Sequence, residues 1–382
     1  MNNIERYDAN FKALQMNADE VEFINARDID GAIYGLTYSE EEKLYRRMPK
    51  NVADSVSDGV KNLSYHSAGG RIKIKTNSPY LVIRAEVEAN GVMNNMSISG
   101  QWGFSIKENG LYHGVICPTG DDIFNQRGNK VATFQGMRYI GDGEHDLTIF
   151  TPLYNRLFEV YIGVKKGSYV EKGSDYLHKN PVLFYGSSIT QGGCATTSSN
   201  SYINIISEQL NTDVLNLGFS GNAKGEKVMC DYLASLSPSI FVIDYDHNAP
   251  DYIHLQNTHY PLYKTIRDKH PTTPIILVSR PDVDRDYIEV DGVMREPVTG
   301  FDKNADKAAN RRIKVIKDTY DTAIKNGDNN VYFICGSELI PAEIRKYAFV
   351  DTCHPNDLGF YYMAKNIGSV IKQILDKDHE NG

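Results

Sequence analysis

The chain has 382 residues, a formal net charge of −8 and a pI near 5.7, with 41% hydrophobic and 24% charged residues. This length favours two domains over one, and the composition is that of a globular protein with a sizeable core. The negative charge excludes nucleic-acid binding as the main activity, because such proteins need a positive field to hold phosphates.

The start of the chain and its cysteines predict a cytoplasmic protein. The N-terminal segment has acidic residues early and no apolar core stretch, so it does not resemble a signal peptide. No window reaches the roughly 18 consecutive apolar residues of a membrane span. The five cysteines are scattered and form no CxxC pair, which favours reduced thiols over disulfides or a zinc site.

Residues 1–175 are predicted to form an all-β domain. Apolar and polar residues alternate in Arg71–Lys75 and in Leu81–Val87, which places one face of each strand on a core. Asn109-Gly110 predicts a hairpin, because both residues tolerate positive φ. Further strands are predicted at Leu147–Phe150 and Phe158–Ile162. Such a series of short strands is typical of a β-sandwich or jelly roll.

Residues 176–382 are predicted to form a layered α/β domain. The predicted strands are short and nearly all apolar, as in a parallel sheet that is buried on both faces: Pro181–Tyr185, Asp213–Leu217, Ile240–Asp244, Pro274–Val278 and Val331–Cys335. Tyr202–Leu210 and Ala305–Lys325 carry apolar residues at helical spacing. Asp282–Asn304 is predicted to be a long polar loop, of a length at which loops are usually functional or mobile.

A glycine-rich segment, Gly186-Ser-Ser-Ile-Thr-Gln-Gly-Gly193, directly follows the first of these buried strands. Sites in open α/β sheets form at the carboxyl ends of strands, where a serine can present its hydroxyl and its own N–H to a ligand. A plain turn is the competing interpretation. A phosphate loop is excluded, because neither GxxxxGK[ST] nor GxGxxG is present.

The segment Asp351-Thr-Cys-His-Pro355 carries a carboxylate three residues before a histidine. The carboxylate can accept a hydrogen bond from imidazole Nδ1 and leave Nε2 as a base. A serine alone is a weak nucleophile and needs such a base. A satisfied surface histidine is the competing interpretation, and the chain order Ser, Asp, His is compatible with a hydrolase without being diagnostic.

Two more segments follow buried strands, Asn216–Asn222 and Asp244–Asn248. Gly221 would let a backbone N–H approach a reacting oxygen closely, and Asn248 could donate its side-chain amide to the same oxygen. Either segment alone is more often a plain loop. All four segments together would meet on one edge of the sheet.

These four blocks, in this order and context, resemble those of the SGNH (GDSL-like) hydrolases, which supply a Ser, a Gly, an Asn and a His. The resemblance implies the following roles: Ser188 as nucleophile, Gly221 as backbone oxyanion donor with the N–H of Ser188, Asn248 as side-chain oxyanion donor, His354 as general base and Asp351 as its orienting acid. The chain departs from the family pattern at Ser187, where the family motif has Asp, and in the third block, where His247 precedes Asn248.

The resemblance is to the two-domain bacterial branch of the family. It implies a three-layer, flavodoxin-like α/β domain with a parallel sheet, preceded by an all-β jelly-roll or sandwich domain. It is close over residues 178–378 and looser in the first half.

The resemblance implies a serine carboxylic ester hydrolase that needs no metal or cofactor. Within that class, an acetylesterase acting on a carbohydrate or another small acylated molecule is favoured. A thioesterase or lysophospholipase-type acylhydrolase stays open, and so does a non-catalytic carbohydrate-binding protein on a hydrolase scaffold. No nucleic-acid or membrane partner is expected, and a homo-oligomer is compatible with the sequence.

Four further side chains have weaker predicted roles. Trp102 and Tyr112 could stack on a sugar ring, although a core or hairpin role is the favoured interpretation. Glu226 could cap the helix that follows it or line the pocket, and the cap is favoured. Arg280 ends a strand at the predicted active edge, where it could contact the substrate.

Overall fold

The computed structural model describes residues 18–281, 288–290, 293–295, 306–351 and 353–380. The strands of the N-terminal half are β1 (Val21–Asn25), β2 (Ile33–Tyr34), β3 (Thr37–Ser39), β4 (Leu44–Arg46), β5 (Arg71–Thr76), β6 (Tyr80–Glu88), β7 (Phe104–Glu108), β8 (Leu111–Ile116), β9 (Val131–Tyr139), β10 (His145–Phe150), β11 (Leu157–Lys165) and β12 (Val170–Lys172). Its helices are α1 (Lys50–Val56), α2 (Asp58–Leu63), α3 (Ile98–Gln101) and α4 (Gly120–Asn125).

Ten of these strands form two antiparallel sheets packed over a shared core, and β3 pairs with β4 in a separate hairpin. One sheet has the order β1-β11-β6-β9, and the other has the order β12-β5-β10-β7-β8 with β2 paired to β5. Ile83 from the first sheet and Ile149 from the second belong to one apolar cluster, together with the buried Trp102. The hairpin at Asn109-Gly110 forms as predicted, with φ values of 47° and 84°.

Residues 50–63 are a helical exception within the predicted β domain. They form α1 and α2, whose apolar residues recur at helical spacing. Ala53 of α1 and Val60 of α2 pack in the same cluster as Leu183 and Leu217 of the C-terminal half. The two short helices therefore cover the α/β core, and the two halves of the chain share buried surface.

The C-terminal half contains the strands β13 (His178–Gly186), β14 (Thr212–Gly218), β15 (Ile240–Asp244), β16 (Ile275–Val278), β17 (Ile288–Val290), β18 (Val293–Arg295) and β19 (Val331–Ile334). Its helices are α5 (Ser188–Gln191), α6 (Tyr202–Gln209), α7 (Lys227–Ser235), α8 (Tyr252–Lys269), α9 (Asp306–Lys325), α10 (Gly336–Leu339), α11 (Ala342–Arg345) and α12 (Asp357–Glu380).

Strands β14-β13-β15-β16-β19 form one parallel sheet. Numbered along the chain, this order is 2-1-3-4-5, the flavodoxin-like order. The sheet separates two apolar clusters, and its strands are buried on both faces. The apolar runs in the sequence therefore identified the strands correctly, which confirms the predicted α/β fold.

The predicted polar loop at Asp282–Asn304 lies mostly outside the described residues. Its described part is an antiparallel pair, with Ile288 opposite Arg295. Among the described residues, no helix is both long and apolar enough to cross a membrane.

Candidate active site

The loops after β13, β14 and β15 meet at the carboxyl edge of the parallel sheet. Phe219 N–H donates to the carbonyl of Gly186 at 2.8 Å, and Ser187 N–H donates to the carbonyl of Asp244 at 3.2 Å. The order 2-1-3 reverses direction at this point, and such a switch point leaves a crevice for a ligand.

The two adjacent serines at the end of β13 have different environments. Ser187 is fully buried, and its Oγ accepts a hydrogen bond from Ile189 N–H at 3.2 Å, which caps α5. Ser188 begins α5, so its own N–H has no acceptor within the helix. Its Oγ lies 2.8 Å from Nε2 of His354. Only the Ser188 hydroxyl is therefore paired with a histidine.

His354 also contacts Asp351, three residues before it. Its Nδ1 lies 2.9 Å from Asp351 Oδ2 and 3.1 Å from Oδ1. The N–H groups of Cys353 and His354 donate to Asp351 Oδ1 at 2.8 and 2.7 Å. The tight turn therefore fixes the carboxylate with backbone donors and aims it at the imidazole.

The protonation states of Asp351 and His354 follow from these contacts. Burial opposes ionisation of Asp351, but the hydrogen bonds from His354 and from two backbone N–H groups outweigh it and hold its pKa well below its usual range. Burial favours a neutral imidazole, but the bond to Asp351 and the electrostatic effects of Cys353 and Asp351 together outweigh it and raise the pKa of His354. In the neutral imidazole, Nδ1 then carries the proton and Nε2 is free to accept one from Ser188.

Gly221 and Asn248 lie on loops that are hydrogen-bonded to each other. Ala223 N–H donates to Asn248 Oδ1 at 3.1 Å, which leaves the amide NH₂ of Asn248 as a donor. Gly221 has a φ of 70°, and a Cβ there would meet no heavy atom within 4 Å. The same loop is tied to α5, because Ser220 N–H donates to Gln191 Oε1 at 3.1 Å.

The structure shows contacts of Glu226 and Arg280, and it leaves their predicted contact with a substrate untested. Glu226 occupies the N-cap position of α7 but makes no capping bond, and its carboxylate accepts from Lys224 N–H at 3.3 Å. The expected cap is therefore wrong. Arg280 is only 2% exposed, and its N–H donates to Asp246 Oδ2. Its contact with a substrate stays a prediction.

The favoured core role of Trp102 agrees with the structure, where its side chain is 1% exposed. Tyr112, in contrast, is exposed on β8. His247, the neighbour of Asn248, points its Nδ1 toward the thiol of Cys353 at 3.6 Å and does not take the position beside Ser188.

Three residues that the sequence did not single out also contact this site. Asn95 Nδ2 donates to Asp351 Oδ2 at 3.1 Å. Tyr154 Oη donates to the carbonyl of Ser188 at 3.2 Å, and Gln191 Nε2 donates to the carbonyl of Leu153 at 3.1 Å. Gln191 lies within the glycine-rich segment and could have been noticed. Asn95 and Tyr154 come from the N-terminal sandwich and carry no local signal.

One group of side chains at the site could bind a metal ion by distance alone. The potential ligand atoms of Cys194, Asp351 and His354 lie within 4.8 Å of one another. Asp351 and His354 are bonded to each other, and burial raises the pKa of Cys194 to about 12, so that its thiol keeps its proton. We assign no metal to this group.

Fold and site together define an α/β enzyme with its site at a topological switch point. The chain belongs to the GDSL-like lipase/acylhydrolase family, whose model matches residues 179–372. A second family model, the N-terminus of SGNH-hydrolase-type esterases, matches residues 21–170. The chain is therefore a carboxylic ester hydrolase, as the sequence predicted.

Solved structures with a similar fold cover almost the whole chain. A protein described as a GDSL-like lipase from Bacteroides ovatus ATCC 8483 is 27% identical, with a TM-score of 0.78 over 93% of this chain and 98% of the other. The salicylyl-acyltransferase SsfX3 from a tetracycline biosynthetic pathway is 17% identical, with a TM-score of 0.69 over 91% and 96%.

A family two carbohydrate esterase from Clostridium thermocellum, solved in complex with cellohexaose, is 15% identical, with a TM-score of 0.53 over 81% and 94%. No match was found among curated proteins.

Proposed function

We propose that the protein is an acetylesterase that works through an acyl-enzyme on Ser188. His354 Nε2 takes the hydroxyl proton as Ser188 Oγ attacks the ester carbonyl. The C–O bond to the alcohol then breaks, and His354 returns the proton to the leaving oxygen. Water repeats the sequence on the acyl-enzyme and releases the acid. The observation that carries the proposal is the 2.8 Å contact between Ser188 Oγ and His354 Nε2.

The negative oxygen of the tetrahedral intermediate needs hydrogen-bond donors. We assign them to the N–H groups of Ser188 and Gly221 and to the side-chain amide of Asn248. The support is the link between Ala223 N–H and Asn248 Oδ1, which orients the amide, and the uncovered backbone at Gly221. Preorganised donors of this kind stabilise the transition state more than the substrate.

Loss of the Asn248 donor should lower kcat by about 100- to 1000-fold, the usual effect of removing one oxyanion donor. Asn248→Ala tests this with p-nitrophenyl acetate. Asn248→Asp keeps an oxygen for Ala223 N–H, removes the donor and adds a negative charge beside the oxyanion, so that it tests catalysis with the loop contact kept. An Asn248→Asp variant with wild-type kcat would show that the amide does not bind the oxyanion.

The pH profile of kcat/KM should fall on the acid side with the protonation of His354. Only the neutral imidazole can accept the Ser188 proton, so activity is lost as the pH decreases through the His354 pKa. Because the bond to Asp351 raises that pKa, we expect a midpoint above 6.5, the ordinary value for histidine. In Asp351→Asn the midpoint should move to lower pH. A rate that stays constant between about pH 5 and pH 8 contradicts this assignment.

We propose an acetylated carbohydrate as the substrate. Two lines support this: the sequence resembles a branch with a β-sandwich beside its catalytic domain, and the structures of similar fold include a carbohydrate esterase solved with cellohexaose. We also propose a cytoplasmic location, with no nucleic-acid or membrane partner. The five cysteines are free thiols, which supports this location.

The substrate is tested by acetate release from a panel of acetylated monosaccharides and oligosaccharides. In parallel, p-nitrophenyl esters of increasing acyl length measure the acyl preference. We expect acetate release from at least one sugar and the highest kcat/KM for the acetyl ester. Faster turnover of acyl thioesters or of lysophospholipids than of any acetylated sugar would contradict the proposed substrate class and favour the thioesterase or lysophospholipase alternative. No turnover of any ester would favour the non-catalytic alternative.

A further inference from the structure

The N-terminal sandwich reaches the segments that carry the proposed catalytic groups. Gly193, in the turn after α5, lies very close to Tyr154. A Cβ added at Gly193 would lie 2.9 Å from Tyr154 Oη and 3.1 Å from the carbonyl oxygen of Ser188. Met96 packs in the same apolar cluster as Ile189 of α5. Asn95, the neighbour of Met96 in the sequence, donates a hydrogen bond to Asp351. The sandwich therefore contacts both ends of the proposed triad.

The contact of Asn95 adds something that the turn around Asp351 does not provide. The backbone N–H groups of Cys353 and His354 both donate to one carboxylate oxygen, Oδ1. Neither of these backbone donors reaches the second oxygen, Oδ2. Asn95 Nδ2 donates to the other oxygen, Oδ2, at 3.1 Å, and Oδ2 is the oxygen nearer to His354 Nδ1 at 2.9 Å.

The loop that carries Asn95 is held in shape by a buried side chain. Gln101, only 2% exposed, donates from Nε2 to the carbonyl of Gly91 at 2.8 Å and accepts from Met93 N–H at 3.0 Å. This clamp closes the loop on the N-terminal side of Asn95. On the other side, Ser97 Oγ donates to the carbonyl of Thr196 at 2.6 Å. The amide of Asn95 therefore starts from a fixed backbone.

The interface between the two halves of the chain is held together mainly by residues other than Asn95. Arg47 donates to the carbonyl of Gly218 at 2.7 Å, and Arg71 donates to the carbonyl of Val214 at 3.1 Å. Both guanidinium groups are buried, and their loss would be costly. Asn95 is half-buried at the rim of the interface, so a role confined to adhesion would be minor.

We propose that Asn95 is a positioning residue for Asp351, so that the N-terminal sandwich completes the catalytic arrangement in addition to packing against it. Asn95 touches neither the substrate nor the reacting atoms. It holds Oδ2, the carboxylate oxygen nearer to His354 Nδ1, and the carboxylate in turn orients the imidazole toward Ser188. The inference rests on the proposed function above.

Asn94 provides a matched control, because it is the exposed neighbour of Asn95 on the same loop. Asn95→Ala should lower kcat for p-nitrophenyl acetate by about 10-fold or more and leave KM within about twofold, because a bond to a charged group is lost while substrate binding is kept. Asn94→Ala should behave as wild type. Rates are expressed per active site titrated to completion with a fluorophosphonate, so that a misfolded fraction does not count.

A charge variant of Asn95 should change the pH dependence of kcat/KM, which a residue with a merely structural role would not change. Asn95→Asp keeps the size of the side chain, removes the donor and adds a negative charge beside Asp351. That charge favours the imidazolium form of His354, so the acid limb of kcat/KM should shift to higher pH. Asn94→Asp, exposed to solvent, should leave the limb in place. Within the part of the chain that the structure describes, Cys194, Cys353 and His247 are titratable groups that face His354 and Asp351, and all variants share them.

The outcomes separate this inference from the proposed function. Ser188-dependent turnover in wild type, with wild-type kcat in Asn95→Ala, overturns the inference alone, and so does an unshifted acid limb in Asn95→Asp. If Asn95→Ala does not fold, the position of the acid limb in the kcat/KM profile of Asn95→Asp decides whether the inference holds. Wild-type protein without Ser188-dependent turnover overturns the proposed function first, and the inference with it.

Discussion

Ser188→Ala should lower kcat for p-nitrophenyl acetate by about a millionfold, as removal of the nucleophile does in a well-characterised serine hydrolase. The substitution deletes the oxygen that lies 2.8 Å from His354 Nε2 and leaves the oxyanion donors in place. A residual rate above that of water is therefore expected. The measurement is steady-state release of p-nitrophenol at enzyme concentrations high enough to detect that residual rate.

Ser187→Ala is the matched control for this variant. Ser187 Oγ caps α5 by accepting from Ile189 N–H, so its removal should cost about 1 kcal/mol of stability and keep kcat within about 10-fold. Resemblance alone chose between the two serines in the sequence. A large loss of activity in Ser187→Ala, with activity kept in Ser188→Ala, would reverse the assignment.

His354→Ala should be as damaging as Ser188→Ala, again about a millionfold in kcat. The two side chains act as one unit, because the hydroxyl is a poor nucleophile without the base. The double variant should therefore be no slower than either single variant. Additive losses in the double variant would contradict a shared proton transfer between them.

His247 provides the control for His354, because it lies beside the predicted oxyanion residue Asn248 in the sequence and could be mistaken for the base. Its Nδ1 faces the thiol of Cys353 at 3.6 Å, and it does not contact Ser188 Oγ. His247→Ala should keep kcat within about 10-fold. A greater loss in His247→Ala than in His354→Ala would show that the proton acceptor was assigned to the wrong histidine.

The parallel sheet could be predicted because buried strands leave a strong local pattern. In runs such as Ile240–Asp244 every residue but the last is apolar, and in the structure every residue of that strand is buried. The four polar blocks could be found for a related reason, since each follows a strand or lies near the C-terminus. Their order then predicted one shared edge.

Other parts of the fold depend on contacts that are distant in the sequence. Helices α1 and α2 pack on the α/β core, and no local pattern shows which core they cover. Pro261 lies inside α8, where local rules predict a break; packing of Leu255 and Ile266 in the core overrides that rule. Glu226 stood at the predicted helix start, but its carboxylate found a backbone donor two residues earlier.

The candidate site also combines a local contact, which the sequence could suggest, with a distant one, which it could not. Asp351 and His354 are three residues apart, so that one turn of chain sets their geometry and the sequence could suggest it. Asn95 reaches Asp351 across 256 positions of the sequence. Such a contact arises only when the sandwich docks on the α/β domain, and a lone asparagine in a polar loop carries no signal for it.

The central claim is that Ser188 forms the covalent intermediate. The most direct test labels the protein with a fluorophosphonate, which forms a stable ester with an activated serine, and locates the label by peptide mass spectrometry. We predict a single label on Ser188, absent from the Ser188→Ala and His354→Ala variants. A label on Ser187, Cys194 or any other residue, or an unlabelled protein that still hydrolyses p-nitrophenyl acetate, would contradict the claim.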